Sequence, residues 1–157
     1  MGADDPKRTY LVVIDDSAEA SVALRFAARR AAKTNGRIEV LGIVEPQDFV
    51  QFGGVQAAIE EEQRLRIEGV VSAAVGELLD EAGVEANIIV RHGEPVKAVR
   101  EFIGAREDVA ALVLGAAPSG NPGPLVANFC GNDAGKLPCP VMLIPGSLDD
   151  ERLEQLS

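Results

Sequence analysis

Two short stretches carry the residue types best suited to chemistry. The first is Asp15-Asp16-Ser17, directly after the apolar run Tyr10 to Ile14. The second runs from Leu112 to Pro145 and reads LVLGAAPSGNPGPLVANFCGNDAGKLPCPVMLIP. In it an apolar strand ends at Leu114-Gly115, and a loop rich in Gly and Pro covers Ala116 to Pro124. A helical segment then spans about Leu125 to Lys136, and a second strand Val141 to Ile144. Strand, glycine loop, helix and strand is the form of a unit that cradles phosphate with backbone N–H groups. Asp15 is of the type that accepts hydrogen bonds from an amino group or a ribose hydroxyl. Gly115 would let a ligand approach the backbone closely. Each also has a plain structural role, Asp15 in a helix-entry turn and Gly115 in a strand-to-loop turn.

Beyond these stretches the chain offers no catalytic constellation. His92 is the only histidine, and it sits in a turn. Ser17 and Ser119 have no evident base, and no Gly-x-Ser-x-Gly elbow exists. Cys130 and Cys139 have neither metal-site nor CxxC spacing, which suits reduced thiols in a cytoplasmic protein and implies no zinc site. A net charge of −10 argues against general binding of nucleic acid, and aromatic residues, 4% of the chain, are too few for base-stacking platforms. No apolar run approaches the roughly 20 residues of a membrane span. Tyr10 to Ile14 is too short for a signal peptide.

The elements that must position these residues alternate. Tyr10 to Ile14 is a continuous apolar run, as expected of a strand covered on both faces. Either Asp16 with Glu19 or Ser17 alone can cap the helix that follows. That helix places Leu24, Ala27, Ala28 and Ala31 on one stripe and stops at Asn35-Gly36. Arg37 to Val44 is a second strand. A loop with Phe49, Phe52, Gly53 and Gly54 leads to a long helix from about Val55 to Ala82, stopped by Gly83. Val84 to Arg91 is a third strand, and Pro95 opens a helix marked by Val96, Val99 and Ile103. Val109 to Leu114 is the fourth strand and Val141 to Ile144 the fifth. Strict alternation implies an open, parallel α/β sheet with helices on both faces. Residues 1–8 read as a loose tail, 9–146 as one domain, and 147–157 as a tail with capping-box-like Ser147 and Asp150, able to form a short helix.

In their order and spacing these residues resemble the universal stress protein family. The match is carried by the first strand with Asp15-Asp16-Ser17, by Gly93-Glu94-Pro95, by Leu112-Val113-Leu114-Gly115 and by Pro138-Cys139-Pro140-Val141, over about residues 9 to 146. The resemblance implies an adenine nucleotide alpha hydrolase-like fold: five parallel strands in the order 3-2-1-4-5, usually in a homodimer. ATP-binding members use an aspartate after strand one, matched by Asp15, and Gly-x-x-Gly-x9-Gly-Ser or Thr after strand four. The candidate nucleotide-binding set is therefore Asp15, Val44, Leu114, Gly115, Gly120, Gly123, Ala127 and Asn128.

The chain departs from that pattern. Gly115 matches the first glycine, but Pro118 stands at the second, and Asn128-Phe129 stand where Gly-Ser belongs. Counting back from Pro138-Cys139-Pro140 gives Ala127-Asn128 instead. Gly120-Asn121-Pro122-Gly123 is a second Gly-x-x-Gly, also without a Gly-Ser partner nine residues on. Pro118, Pro122 and Pro124 each remove an N–H from the cradle. A hydrogen bond to a charged group contributes roughly 1.5–3 kcal/mol, so losing two weakens binding by about two to four decades. The expectation is a dimeric stress-response or signalling module that keeps the adenosine end of a site and binds ATP or AMP weakly or not at all. Its fifth strand, Val141 to Ile144, is a short apolar edge expected to pair with a second copy. The alternatives are a competent ATP/AMP switch and, with less support, a nucleotide hydrolase.

Overall fold

The computed structural model describes residues 7–45 and 55–157. The loop with Phe49, Phe52, Gly53 and Gly54, and most of the N-terminal tail, lie outside the described residues. Five strands, β1 (Thr9–Ile14), β2 (Arg37–Val44), β3 (Ala86–His92), β4 (Val109–Ala116) and β5 (Val141–Pro145), alternate with α1 (Ala18–Thr34), α2 (Gln56–Ala82), α3 (Pro95–Gly104) and α4 (Pro124–Phe129). A fifth helix, α5 (Asp150–Leu156), follows β5. Every strand pair is parallel, and the order is β3-β2-β1-β4-β5, as the alternation and the resemblance predict.

The reason is visible in β1, whose six residues are all buried. Its side chains alternate between two apolar layers. Tyr10, Val12 and Ile14 join the layer under α1 and α2, with Ala23, Ala27, Ile67 and Val71. Leu11 and Val13 join the layer under α3 and α4, with Val99, Ile103, Leu112 and Phe129. The small residues on the inner stripe of α1 bring that helix close to the sheet.

Local chemistry sets the helix ends. Ser17 caps α1, its Oγ accepting from the N–H of Ala20 at 3.3 Å, so the cap falls on Ser17 rather than on Asp16. Glu94 caps α3 by accepting from the N–H groups of Val96 and Lys97, both at 3.0 Å, with Pro95 in the first turn. Several boundaries differ from the sequence expectation, and β4 runs on to Ala116. β3 starts at Ala86 rather than Val84. α4 stops at Phe129, because Gly131, Asn132 and Asp133 prefer a turn, and only a 3-10 turn at Ala134–Lys136 follows. α5 is capped by Asp149, which accepts from Arg152 N–H at 2.9 Å, and not by Ser147.

At the amino ends of the strands the polar residues form one closed cluster. Arg106 donates to both oxygens of Asp108, at 2.7 and 2.6 Å, and to Glu39 at 2.9 Å. Arg37 reaches Asp108 at 2.8 Å and Thr9 Oγ1 at 2.9 Å, and Asn87 donates to Glu39 at 3.2 Å. The Glu39 side chain is only 6% exposed, so its charge is tolerated because these donors surround it.

Candidate functional site

The strand order reverses at β1, which has β2 on one side and β4 on the other. Loops leaving β1 and β4 therefore part in opposite directions and open a crevice beyond their carboxyl ends. A cleft of about 170 Å³ lies there, walled by Ile14, Asp15, Leu114, Gly115, Gly123 and Leu125, among others.

Asp15, Leu114, Gly115 and Gly123 thus meet around one cavity. Asp15 is exposed, and its Oδ1 accepts from the N–H of Ser17 at 2.8 Å and from the Ser17 hydroxyl. That oxygen therefore holds the entry turn of α1, while Asp16 pairs with Arg66 of α2. Gly115 answers a packing demand. A Cβ there would lie 2.1 Å from the carbonyl oxygen of Glu19, so only glycine lets the first turn of α1 rest on the end of β4. Gly123 has φ 113°, a value that side-chain-bearing residues avoid, and it turns the chain into α4.

The other four candidates lie elsewhere. Gly120 is exposed on the loop tip at φ 74°, outside the cleft wall. Ala127 and Asn128 sit on α4, and Asn128 Oδ1 accepts from Arg100 of α3 at 3.0 Å, away from the cavity. Arg100 also reaches Asp133 at 2.6 Å. Val44 is buried, and its carbonyl accepts from the N–H of Gly93 at 3.0 Å. Its side chain lines a neighbouring hollow toward α2 with Asp16, Glu62 and Arg66.

The loop also uses two of its own donors internally. The N–H of Ala117 donates to the carbonyl of Pro122 at 3.4 Å, and the N–H of Gly123 donates to Asn121 Oδ1 at 2.9 Å. Pro118, Pro122 and Pro124 have no N–H to give. The helix it feeds, α4, has six residues, too short to present much of a dipole. Asp15, Glu19 and Glu45 bring carboxylates to the cleft, and no Lys or Arg stands among its described lining residues. The lining therefore favours neutral or cationic groups and opposes a polyphosphate.

A family model of the universal stress protein family matches residues 7–145. The chain belongs to that family. Solved structures of universal stress proteins share the fold. The universal stress protein UspA from Lactobacillus plantarum is 15% identical, with 90% of this chain and 99% of that one covered and a TM-score of 0.64. The universal stress protein from Archaeoglobus fulgidus in complex with dAMP is 22% identical over 89% and 99%, at a TM-score of 0.53. A family protein from Arabidopsis thaliana with AMP bound is 14% identical over 92% and 94%, at 0.57. Among curated protein sequences none matches.

For this universal stress protein, sequence reading overlooked Glu19 and Glu45 as cleft residues. Glu45 had a signal, since it directly follows β2 at the carboxyl end of the sheet. Glu19 had none, because its place depends on how closely α1 approaches Gly115.

Proposed function

We propose that this chain is a dimeric stress-response or signalling module of the cytoplasm whose adenine-nucleotide site has lost its triphosphate end. The observation that carries this reading is the cleft lining: three acidic residues, no described lysine or arginine, and a proline-edged loop that uses two of its own N–H groups internally. The relatives bound to AMP, dAMP and, in a further universal stress protein, cAMP support an adenine nucleoside monophosphate as the ligand class. A monophosphate asks little of a phosphate cradle, so AMP and adenosine bind about as well as ATP. Each has a Kd in the range of hundreds of micromolar or weaker, corresponding to about −5 kcal/mol. Isothermal titration with adenosine, AMP and ATP tests this. Low-micromolar ATP binding, clearly tighter than AMP, would replace the reading with a competent switch.

The dimer forms through β5. It is a sheet edge bracketed by Pro140 and Pro145, and Leu143 on it is 44% exposed. Two copies meeting there across a two-fold axis cover both edges. Light scattering should report a dimer at micromolar concentration, and Leu143→Lys should shift it to monomer. A monomeric parent overturns the assembly without touching the nucleotide reading.

A further inference from the structure

The opposite edge of the sheet carries a second interaction surface. β3 is seven residues long and pairs only with β2. The N–H of Ile38 donates to the carbonyl of Glu85, and the N–H of Gly93 donates to the carbonyl of Val44. With Ile38 opposite Ala86 and Val44 opposite His92, the odd-numbered residues of β3 therefore turn their backbone groups toward β2. Ala86, Ile88 and Val90 turn theirs outward, where no strand pairs with them among the described residues. β5 is guarded by two prolines; β3 contains none, and it has no lysine.

The α3 side of that edge has a shaped surface. A groove of about 230 Å³ lies between β3 and α3, floored by Ile89, Ala98, Phe102 and Ala105. Arg91 and Arg106 both lie over the Phe102 ring, at 5.8 and 5.2 Å. Arg106 is engaged by Glu39 and Asp108. Arg91 is different: it forms no ion pair among the described residues, and its one hydrogen bond is a long 3.4 Å donation to the carbonyl of Val90. His92 and Glu101 also line the groove, and Glu101 is the only carboxylate among its described lining residues. In a chain of net charge −10, an uncompensated guanidinium beside an apolar groove selects for an anionic partner.

We infer that the β3 edge docks an extended peptide segment of a partner protein that carries an apolar side chain and a carboxylate two residues apart. Ile89 and Arg91 are two apart on one strand, so they present one face. A strand added alongside β3 places its own alternate side chains on that face: the apolar one over Ile89 and Phe102, the carboxylate at Arg91. Backbone pairing with Ala86, Ile88 and Val90 supplies affinity, and the two side chains supply selectivity. This surface is independent of the nucleotide cleft and of β5.

The test uses the full chain and fluorescein-labelled peptides Thr-Thr-Ile-Thr-Glu-Thr-Thr and Thr-Thr-Glu-Thr-Ile-Thr-Thr, one for each strand direction, with lysine versions of both. Anisotropy should show saturable binding of at least one acidic peptide, and about five- to tenfold weaker binding of its lysine version. Arg91→Glu, at an exposed position, should invert that preference. Ile88→Pro removes an outward N–H without touching a bond to β2 and should abolish binding while the circular dichroism spectrum stays that of the parent. Equal binding of acidic and lysine peptides, or unchanged preference in Arg91→Glu, overturns the inference. So does a change of oligomeric state in folded Ile88→Pro, which would mean that a second copy covers β3.

Discussion

The two ends of the parallel sheet handle acidic residues in opposite ways. At the amino end, Asp108 and Glu39 sit within hydrogen-bond distance of Arg106, and Arg37 and Asn87 complete the set. At the carboxyl end, Asp15, Glu19 and Glu45 converge on one cleft whose described lining includes no lysine or arginine. The first arrangement is structural, because each charge has an opposite partner and the one buried carboxylate, Glu39, is surrounded by donors. The second gathers acidic residues around a cavity with no described lysine or arginine in its lining, a composition that disfavours an anionic group there. The same residue type thus serves stability at one end and selection of ligand charge at the other.

The largest effect expected from breaking this contrast comes at the amino end. Arg106→Gln leaves Asp108 and the buried Glu39 without their shared guanidinium and should cost about 3–5 kcal/mol in urea unfolding. A loss below about 1 kcal/mol would show that the cluster contributes little to the fold. The pH dependence sharpens the point. Bonds from Arg106, and then Arg37, hold the Asp108 carboxyl well below the usual carboxylate range. A folded-state pKa below the unfolded one contributes stability at pH values above the unfolded pKa. That stability is lost as pH falls from about 4 through the folded value. Unfolding at pH 6 and pH 2 should therefore show a steeper loss in the parent than in Asp108→Asn.

At the carboxyl end, Gly115→Ala forces a Cβ to within 2.1 Å of the Glu19 carbonyl oxygen. The first turn of α1 must move, at a cost of about 1–3 kcal/mol by thermal unfolding. Stability like the parent's would show that α1 rides more loosely on β4 than the geometry implies. The smallest effect on stability belongs to Asp15→Ala. It removes an exposed carboxylate that holds a turn and should cost under about 1 kcal/mol. The same change should abolish whatever adenosine or AMP binding calorimetry detects in the parent. Retained binding would move the nucleoside contact away from Asp15.

Much of this was legible in order along the chain. Alternating apolar runs and amphipathic helices specify parallel strands, because each run must be covered on both faces. Ser17, Glu94-Pro95 and Gly83 announce helix ends through local hydrogen bonding and backbone geometry alone. The prolines of the 116–124 loop mark three positions without a donor, since a missing N–H is a property of the residue itself. The close of α4 was misjudged because its turn residues sit inside a stretch with helix-length spacing. The strand order was available only through the family resemblance.

Tertiary structure decided the rest, for a physical reason: electrostatics and sterics depend on distance in space. Gly115 looks like a residue kept small for a ligand until α1 is placed upon it. Arg106 and Asp108 are sequence neighbours, but Glu39 and Arg37 come from a distant strand and join them only when the parallel strands align their amino ends. Asp15 and Glu19 are near neighbours at the entry of α1, and only the parallel pairing of β1 with β2 sets Glu45 beside the same cleft.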